Sequence, residues 1–280
     1  MPFRSIRHPV LGLALSLLAS APSAATYDAP LFDAHLHYNV AHVETVPPEA
    51  VGSVLQAAGV ERAVVITRHP ELAEAAMHAA PGRILPFLDV YRTAPQKDTW
   101  MRESDLPAWV DARLDEGLET GAWRGIGELH LFADDRHSPV FEALVRIAHE
   151  RGLPLMIHGD PAVIDRAFEI EPEVRILWAH AGTFPYPPLI RDYLQRYPNL
   201  HADLSMRSER LNADGFMPPE WQDLLVEYAD RFLVGADTFS AGRWAEFDGH
   251  VQEIRRWLGQ LPPEIADRIA SGNARRLFPD

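Results

Sequence analysis

From residue 31 onward the chain alternates two hydrophobic spacings. Short unbroken apolar runs, VVI at 64–66, ILPFL at 84–88, LPLMI at 153–157 and RILWA at 175–179, are each followed by a stretch patterned at helical spacing. In PVFEALVRIAHER, 139–151, the apolar residues stand at 140, 141, 144, 145 and 148, one face of an amphipathic helix. Unbroken runs are what parallel strands look like when both of their faces are buried. Strands are predicted over 31–37, 60–66, 83–89, 123–130, 154–158, 174–180, 199–205 and 231–237. Helices are predicted over 48–58, 70–80, 105–119, 139–151, 161–170, 187–197, 219–229 and 243–259, with one more over Pro262–Leu277.

Repeated strand-then-helix units of this kind predict a (β/α)8 TIM barrel with an added C-terminal helix. An open doubly wound sheet is the competing architecture. It usually carries a glycine-rich phosphate turn after its first strand, whereas here YNVAHVETVPPE follows. Residues 26–280 are expected to form this one barrel domain, near the usual size of about 250 residues.

Residues 1–25 read as a secretory signal peptide. Arg4 and Arg7 precede the apolar run VLGLALSLLA, and small residues follow from Ala21 to Ala25. That run is shorter than the about 20 residues a bilayer span needs, so cleavage, a periplasmic or secreted location and no stable membrane insertion are expected. The net charge of −14 disfavours nucleic acid and anionic membranes as partners, since both select clustered Lys and Arg. A small-molecule substrate is the expected partner. There is no cysteine, which excludes disulfides and thiolate chemistry. Any metal must then be held by imidazole and carboxylate, which suits zinc, manganese, iron or nickel.

The predicted strands end in such groups. LFDAHLH brings His35 and His37, WRGIGELH brings Glu128, LPLMIH brings His158, VRILWAH brings His180 and RFLVGAD brings Asp237. Side chains two apart on a strand point the same way, so His35 and His37 can grip one ion. The others come from distant strands, and only a closed barrel gathers strands one, four, five, six and eight at one place. A catalytic metal with an open position lowers the pKa of water to about 7 and polarises a carbonyl or phosphoryl oxygen. Asp237 is the candidate to move the proton, with His180 beside it. Glu128 is open between a ligand bridging two metals, a substrate-binding acid, and a buried acid paired with Arg124 or Arg92. His130 shares the parity of Glu128 and can reach the site. Arg68, Arg92 and Arg207 follow strands two, three and seven, where they could bind a substrate carboxylate. His201, Asp203 and Ser205 carry a weaker signal as lining residues. Asp33 is expected to be a turn residue facing away from His35.

At these residues the chain resembles the amidohydrolase superfamily, and within it the amidohydrolase-related (amidohydrolase 2) branch of metal-dependent hydrolases. The matching segments are FDAHLH, GIGE, IHGD, WAHAGTFP, YPNLHADLS, FLVGAD and SGNARRLF, spread over nearly the whole region after residue 25. The resemblance implies a distorted barrel holding one or two divalent ions, zinc first among them. It implies His35, His37, His158 and Asp237 as ligands of a one-metal site, with His180 on the metal or on substrate and water. TatD-type deoxyribonucleases share the ligand order, but WAHAGTFP and YPNLHADLS look like the amidohydrolase-related branch. No lysine ends strand four, where bridging carbamylated lysines sit in some relatives.

The function expected is an exported hydrolase in which metal-activated water attacks a small lactone, ester or amide. A non-oxidative decarboxylase of an aromatic or unsaturated acid is the alternative on the same fold. A two-metal phosphodiesterase and a catalytically silent periplasmic metal or solute receptor are the remaining readings. Substrate choice is expected to lie in the loops 38–47, 91–104, 131–138 and 206–218.

Overall fold

The strands and helices fall where the two spacings place them. The computed structural model describes residues 26–279; the predicted signal peptide, 1–25, lies outside the described residues. Eight parallel strands follow one another around a single sheet: β1 (Leu31–His37), β2 (Val60–Thr67), β3 (Ile84–Leu88), β4 (Gly125–Leu131), β5 (Leu155–Gly159), β6 (Ile176–Trp178), β7 (Leu200–Asp203) and β8 (Phe232–Leu233). The seam between β8 and β1 is closed by backbone bonds, Ala34 N–H to Val234 O at 2.8 Å and Asp237 N–H to His35 O at 2.7 Å. The sheet is therefore a barrel, not an open doubly wound sheet.

The helices on its outside are α1 (Pro48–Ala57), α2 (Pro70–Ala79), α3 (Leu106–Glu116), α4 (Pro139–Glu150), α5 (Pro161–Ile170), α6 (Pro187–Arg196), α7 (Ser208–Leu211), α8 (Pro219–Glu227), α9 (Ala241–Ala245) and α10 (Phe247–Leu258). Proline opens most of them, where its missing N–H costs nothing. None of the helices described is long and apolar enough to cross a membrane. The predicted helix 243–259 is divided at Glu246, and the predicted C-terminal helix is α11 (Pro263–Asp267), a π-helical turn and α12 (Asn273–Leu277). That terminal element plugs the barrel floor. Ala274, Leu277 and Phe278 join the interior cluster of Phe32, Ala34, Val64, Ile66, Phe87, Met156, Leu177 and Leu233. Phe278 packs edge-on against Phe87, with ring centroids 5.6 Å apart.

Two irregularities decide what the barrel shows at its other end. The β1–β2 register shifts between Asp33 and Leu36, and the β4–β5 register shifts between Ile126 and Leu129. Along β1, Phe32 and Ala34 face the interior, while Leu36 belongs to the outer core under the helices. The bulge breaks simple alternation, a usual device beside active sites. Asp33 differs from expectation. It is buried, and its carboxylate accepts the His35 N–H at 2.9 Å and the Ala236 N–H at 3.1 Å, so it fastens β8 to β1 across the seam.

Candidate metal centre

The carboxyl ends of the strands converge on one point. His35 Nε2 and His37 Nε2 lie 3.3 Å apart. Glu128 Oε2 is 3.3 Å from His37 Nε2 and 3.7 Å from His35 Nε2. Asp237 Oδ1 is 3.5 Å from His37 Nε2 and 3.7 Å from His35 Nε2. Four donor atoms held at about 2.0–2.2 Å from a zinc-sized ion in a tetrahedron would stand roughly 3.3–3.6 Å from one another. The spacing found is that of a ligand shell.

The same two carboxylates face a second lobe. Glu128 Oε1 is 3.0 Å from His158 Nδ1 and 3.3 Å from His180 Nε2, and Asp237 Oδ2 is 3.8 Å from His180 Nε2. His130 Nε2 lies 3.0 Å from Glu128 Oε2, and its ring stacks on His158 at 4.3 Å. All six residues expected as ligands are thus brought together, with His130 at their edge. Glu128 is not paired with Arg124 or Arg92. Arg124 donates instead to the Pro279 carbonyl.

Hydrogen bonds fix which imidazole nitrogens face the gap. His35 Nδ1 lies 3.1 Å from Asp203 Oδ2, and His180 Nδ1 lies 3.3 Å from the Ser205 carbonyl and 2.8 Å from its hydroxyl. A carboxylate and a carbonyl can only accept, so each Nδ1 carries the proton and each Nε2 offers a lone pair inward. Burial pulls the His35 pKa down, but Asp203, Asp237 and Glu128 around it push it well above the ordinary histidine value, so without a cation its Nε2 also holds a proton, which an ion bound in the gap would displace. Glu128 is held well below the usual carboxylate range, His35 and His130 outweighing its burial. Burial lowers His130 to about 4.

A cation fits this arrangement on one observation in particular. Asp237 Oδ1 is buried and has no hydrogen-bond partner, although it faces the Nε2 atoms of His35 and His37. A buried carboxylate oxygen left so is costly unless a positive charge completes it. His35, His37, Glu128 and Asp237 would hold that ion; His158 and His180 with the other carboxylate oxygens offer a neighbouring position.

Two of these residues sit in the left-handed region, His180 at φ 59° and Asp237 at φ 51°. Such a conformation costs a non-glycine residue about 1–2 kcal/mol. At the end of a strand it turns the chain sharply while keeping the side chain over the barrel mouth.

The site opens into a cavity of about 640 Å³ lined by His37, Glu128, His130, His158, His180 and Asp237 on one side and by Asn39, Arg68, Tyr91, Lys97, Arg207 and Phe239 on the other. Of the arginines expected to bind substrate, Arg68 faces the cavity with its charge committed to buried Asp89 at 3.0 Å. Arg207 also faces it, but spends Nε on the His180 carbonyl at 2.8 Å and Nη2 on the Gly182 carbonyl at 2.9 Å. Arg92 does not line it. Glu103 and Asp105 bind its guanidinium outside, the latter at 2.7 Å. Asn39, Tyr91 and Lys97 line the cavity from the loops 38–47 and 91–104, and Thr183 from the WAHAGTFP segment, but none of the four stands out in the sequence, where they follow no ligand spacing. Asp203, only weakly signalled, is the buried partner of His35.

Imidazoles and carboxylates from five strand ends, closing on a cation-sized gap at the mouth of a (β/α)8 barrel, define a metal-dependent hydrolase. The chain belongs to the amidohydrolase family, whose model, described as Amidohydrolase, matches residues 32–279. No curated protein matches the chain. Among solved structures it is similar to an amidohydrolase from Burkholderia multivorans with bound HEPES, at 15% identity over 89% of this chain and 99% of that one, with a TM-score of 0.54. It is also similar to amidohydrolase 2 from Bifidobacterium longum subsp. infantis, at 16% identity over 90% and 99% of the two chains, TM-score 0.54. A TatD homolog from Escherichia coli K12 matches at 14% identity over 89% and 97%, TM-score 0.58. At such identity the likeness carries the fold alone.

Proposed function

We propose that this protein is an exported hydrolase that uses zinc and water to open a small lactone, ester or amide. The observation that carries the reading is the unpartnered, buried Asp237 Oδ1 facing the Nε2 atoms of His35 and His37 across a gap of ligand-shell dimensions. A divalent ion bound there would polarise a carbonyl oxygen and make water acidic near neutral pH. Asp237 is the proton carrier in this reading: it takes the proton of the attacking water and delivers it to the leaving oxygen or nitrogen. His180, its Nδ1 held by Ser205, keeps an unprotonated Nε2 beside both carboxylates, where it orients water or substrate. Tyr91, whose hydroxyl donates to the Glu128 carbonyl at 2.8 Å, fixes the backbone that carries Glu128. Export is supported by the charge, apolar run and small-residue order of residues 1–25.

One observation favours a second reading, a non-oxidative decarboxylase. Lys97 lines the cavity with no carboxylate partner among the described residues, and Arg207 faces it with only carbonyls as partners. Those two charges would suit a substrate carboxylate. Purified protein should contain close to one or two equivalents of divalent metal. Chelation should abolish turnover on a panel of lactones, aryl esters and hydroxybenzoates, and zinc or manganese should restore it. Turnover that survives complete metal removal would refute the metal-dependent reading; full metal loading with no turnover on the panel would favour the receptor. Release of carbon dioxide from the hydroxybenzoates would assign the decarboxylase.

A further inference from the structure

We propose that two arginines act as backbone clamps that hold the left-handed site residues in place, and that Arg243 is the positioning residue for Asp237. The observation is a repeated geometry. Arg243 donates from Nε to the Asp237 carbonyl at 2.6 Å and from Nη2 to the Ala236 carbonyl at 2.5 Å. Arg207 does the same one site away, from Nε to the His180 carbonyl and from Nη2 to that of Gly182. The residues clamped are the two left-handed members of the candidate centre, His180 and Asp237.

The chemistry explains why arginine stands there. A left-handed residue at a strand end swings its carbonyl out of the ladder, so the carbonyl loses its strand partner. The guanidinium fork can capture two such carbonyls at once with fixed geometry, which a lysine cannot. Neither arginine forms an ion pair with a carboxylate among the described residues. Neither charge is spent on a carboxylate, and that of Arg243 stays behind Asp237. The two positions differ in one useful way. Arg207 lines the catalytic cavity, whereas Arg243 lies in a separate pocket behind Asp237, with Gly235, His250 and Glu253. Arg243 therefore reaches the cavity only through the residues it holds: Asp237, and Phe239, over whose ring its guanidinium lies at 5.6 Å; only the loss of Asp237 from the ion would lower zinc affinity.

The inference rests on Asp237 serving the metal and its water, but it is tested without any substrate. Zinc affinity is measured by chelator competition on the full chain, for the wild type, Arg243→Ala and Arg243→Lys, with melting temperature as a control. Loss of a group that holds a ligand in place typically weakens metal binding by about 10–100-fold. We expect Arg243→Ala to stay folded and bind zinc about ten-fold more weakly, Arg243→Lys to fall between, and millimolar guanidinium to restore much of the loss in the alanine variant. Where a substrate is in hand, kcat should fall by about 10–100-fold with KM little changed, as a displaced catalytic group would give. Zinc affinity within two-fold of wild type in both variants would overturn the clamp. So would a loss that follows melting temperature and that guanidinium does not repair, because Arg243 would then only support the fold. Failure of the substrate panel alone would leave the zinc measurement standing, so the two readings fail separately.

Discussion

Asp203 has no route to the substrate, yet it sets the chemistry of the first ligand. It is fully buried, and its second oxygen accepts the His180 N–H at 3.2 Å and the Ser205 hydroxyl while the first holds His35 Nδ1. One carboxylate thus orients the His35 imidazole directly, and fixes the His180 backbone and the Ser205 hydroxyl that meets the His180 ring. His35 and His180 counter its burial, so its pKa lies below the ordinary carboxylate value and it remains ionised. Asp203→Asn keeps the volume but presents His35 with a group that can donate, which favours the wrong tautomer. Zinc affinity should fall by about 10–100-fold. Asp237→Asn should behave in the opposite sense, since its amide oxygen can still face the ion but cannot take a proton. It should retain most of its metal and lose turnover by orders of magnitude. Chelator competition and steady-state rates on the two variants separate the roles. Equal metal loss in both, or wild-type turnover in Asp237→Asn, would remove the distinction.

At the scale of the elements, the site depends on strands that stop early. β8 pairs over only Phe232–Leu233, after which Gly235, Ala236 and Asp237 peel away over β1. A Cβ on Gly235 would lie 2.7 Å from His35 Cβ and 3.2 Å from Ser205 Cβ. Gly235→Ala must push β1 and β7 aside at the level of the ligands. It should cost about 1–3 kcal/mol of stability and loosen zinc binding as well. Gly249 in α10 is the control: nothing lies within 4 Å of its added Cβ, so Gly249→Ala should be neutral or gain up to about 1 kcal/mol. Thermal melts with and without zinc read both, and a Gly235→Ala protein as stable as Gly249→Ala would sink the packing argument. These elements also show what could be read from the chain beforehand. Every strand and the set of side chains that converge at the candidate centre were legible, because apolar runs and strand-end histidines are local signals. The bulge in β1 was not, and neither was the role of Asp33, a buried strand residue whose partner, the Ala236 N–H, lies across the seam. Arg92 was misplaced because its partners, Glu103 and Asp105, stand on a loop whose path no periodicity encodes. Arg243 was invisible for a related reason: its targets are carbonyls freed by left-handed residues that are not glycines.

Across the whole molecule, acid should act through two opposing effects. With a net charge of −14 at neutral pH, protonating surface carboxylates relieves self-repulsion, an effect that salt screens. His201 on β7 works the other way. Its Nδ1 is buried without a partner. Burial, with the Arg231 and Arg276 cations nearby, pushes its pKa down to about 4. In the unfolded chain the ring returns to about 6.5. Between those values the unfolded state binds the proton and the folded state does not, so stability falls as pH drops from about 6.5 to about 4, by up to about 1.4 kcal/mol per pH unit. A buried imidazole is poorly screened, so this loss should persist in high salt. The test compares urea unfolding of the wild type and His201→Gln at steps across that window, both with metal removed so that the ligand histidines contribute equally. The slope with pH is what counts, because it does not depend on the stability from which each protein starts. A shallower acid slope in His201→Gln, unchanged by added salt, is expected; parallel slopes would mean that His201 keeps its ordinary affinity for protons inside the barrel.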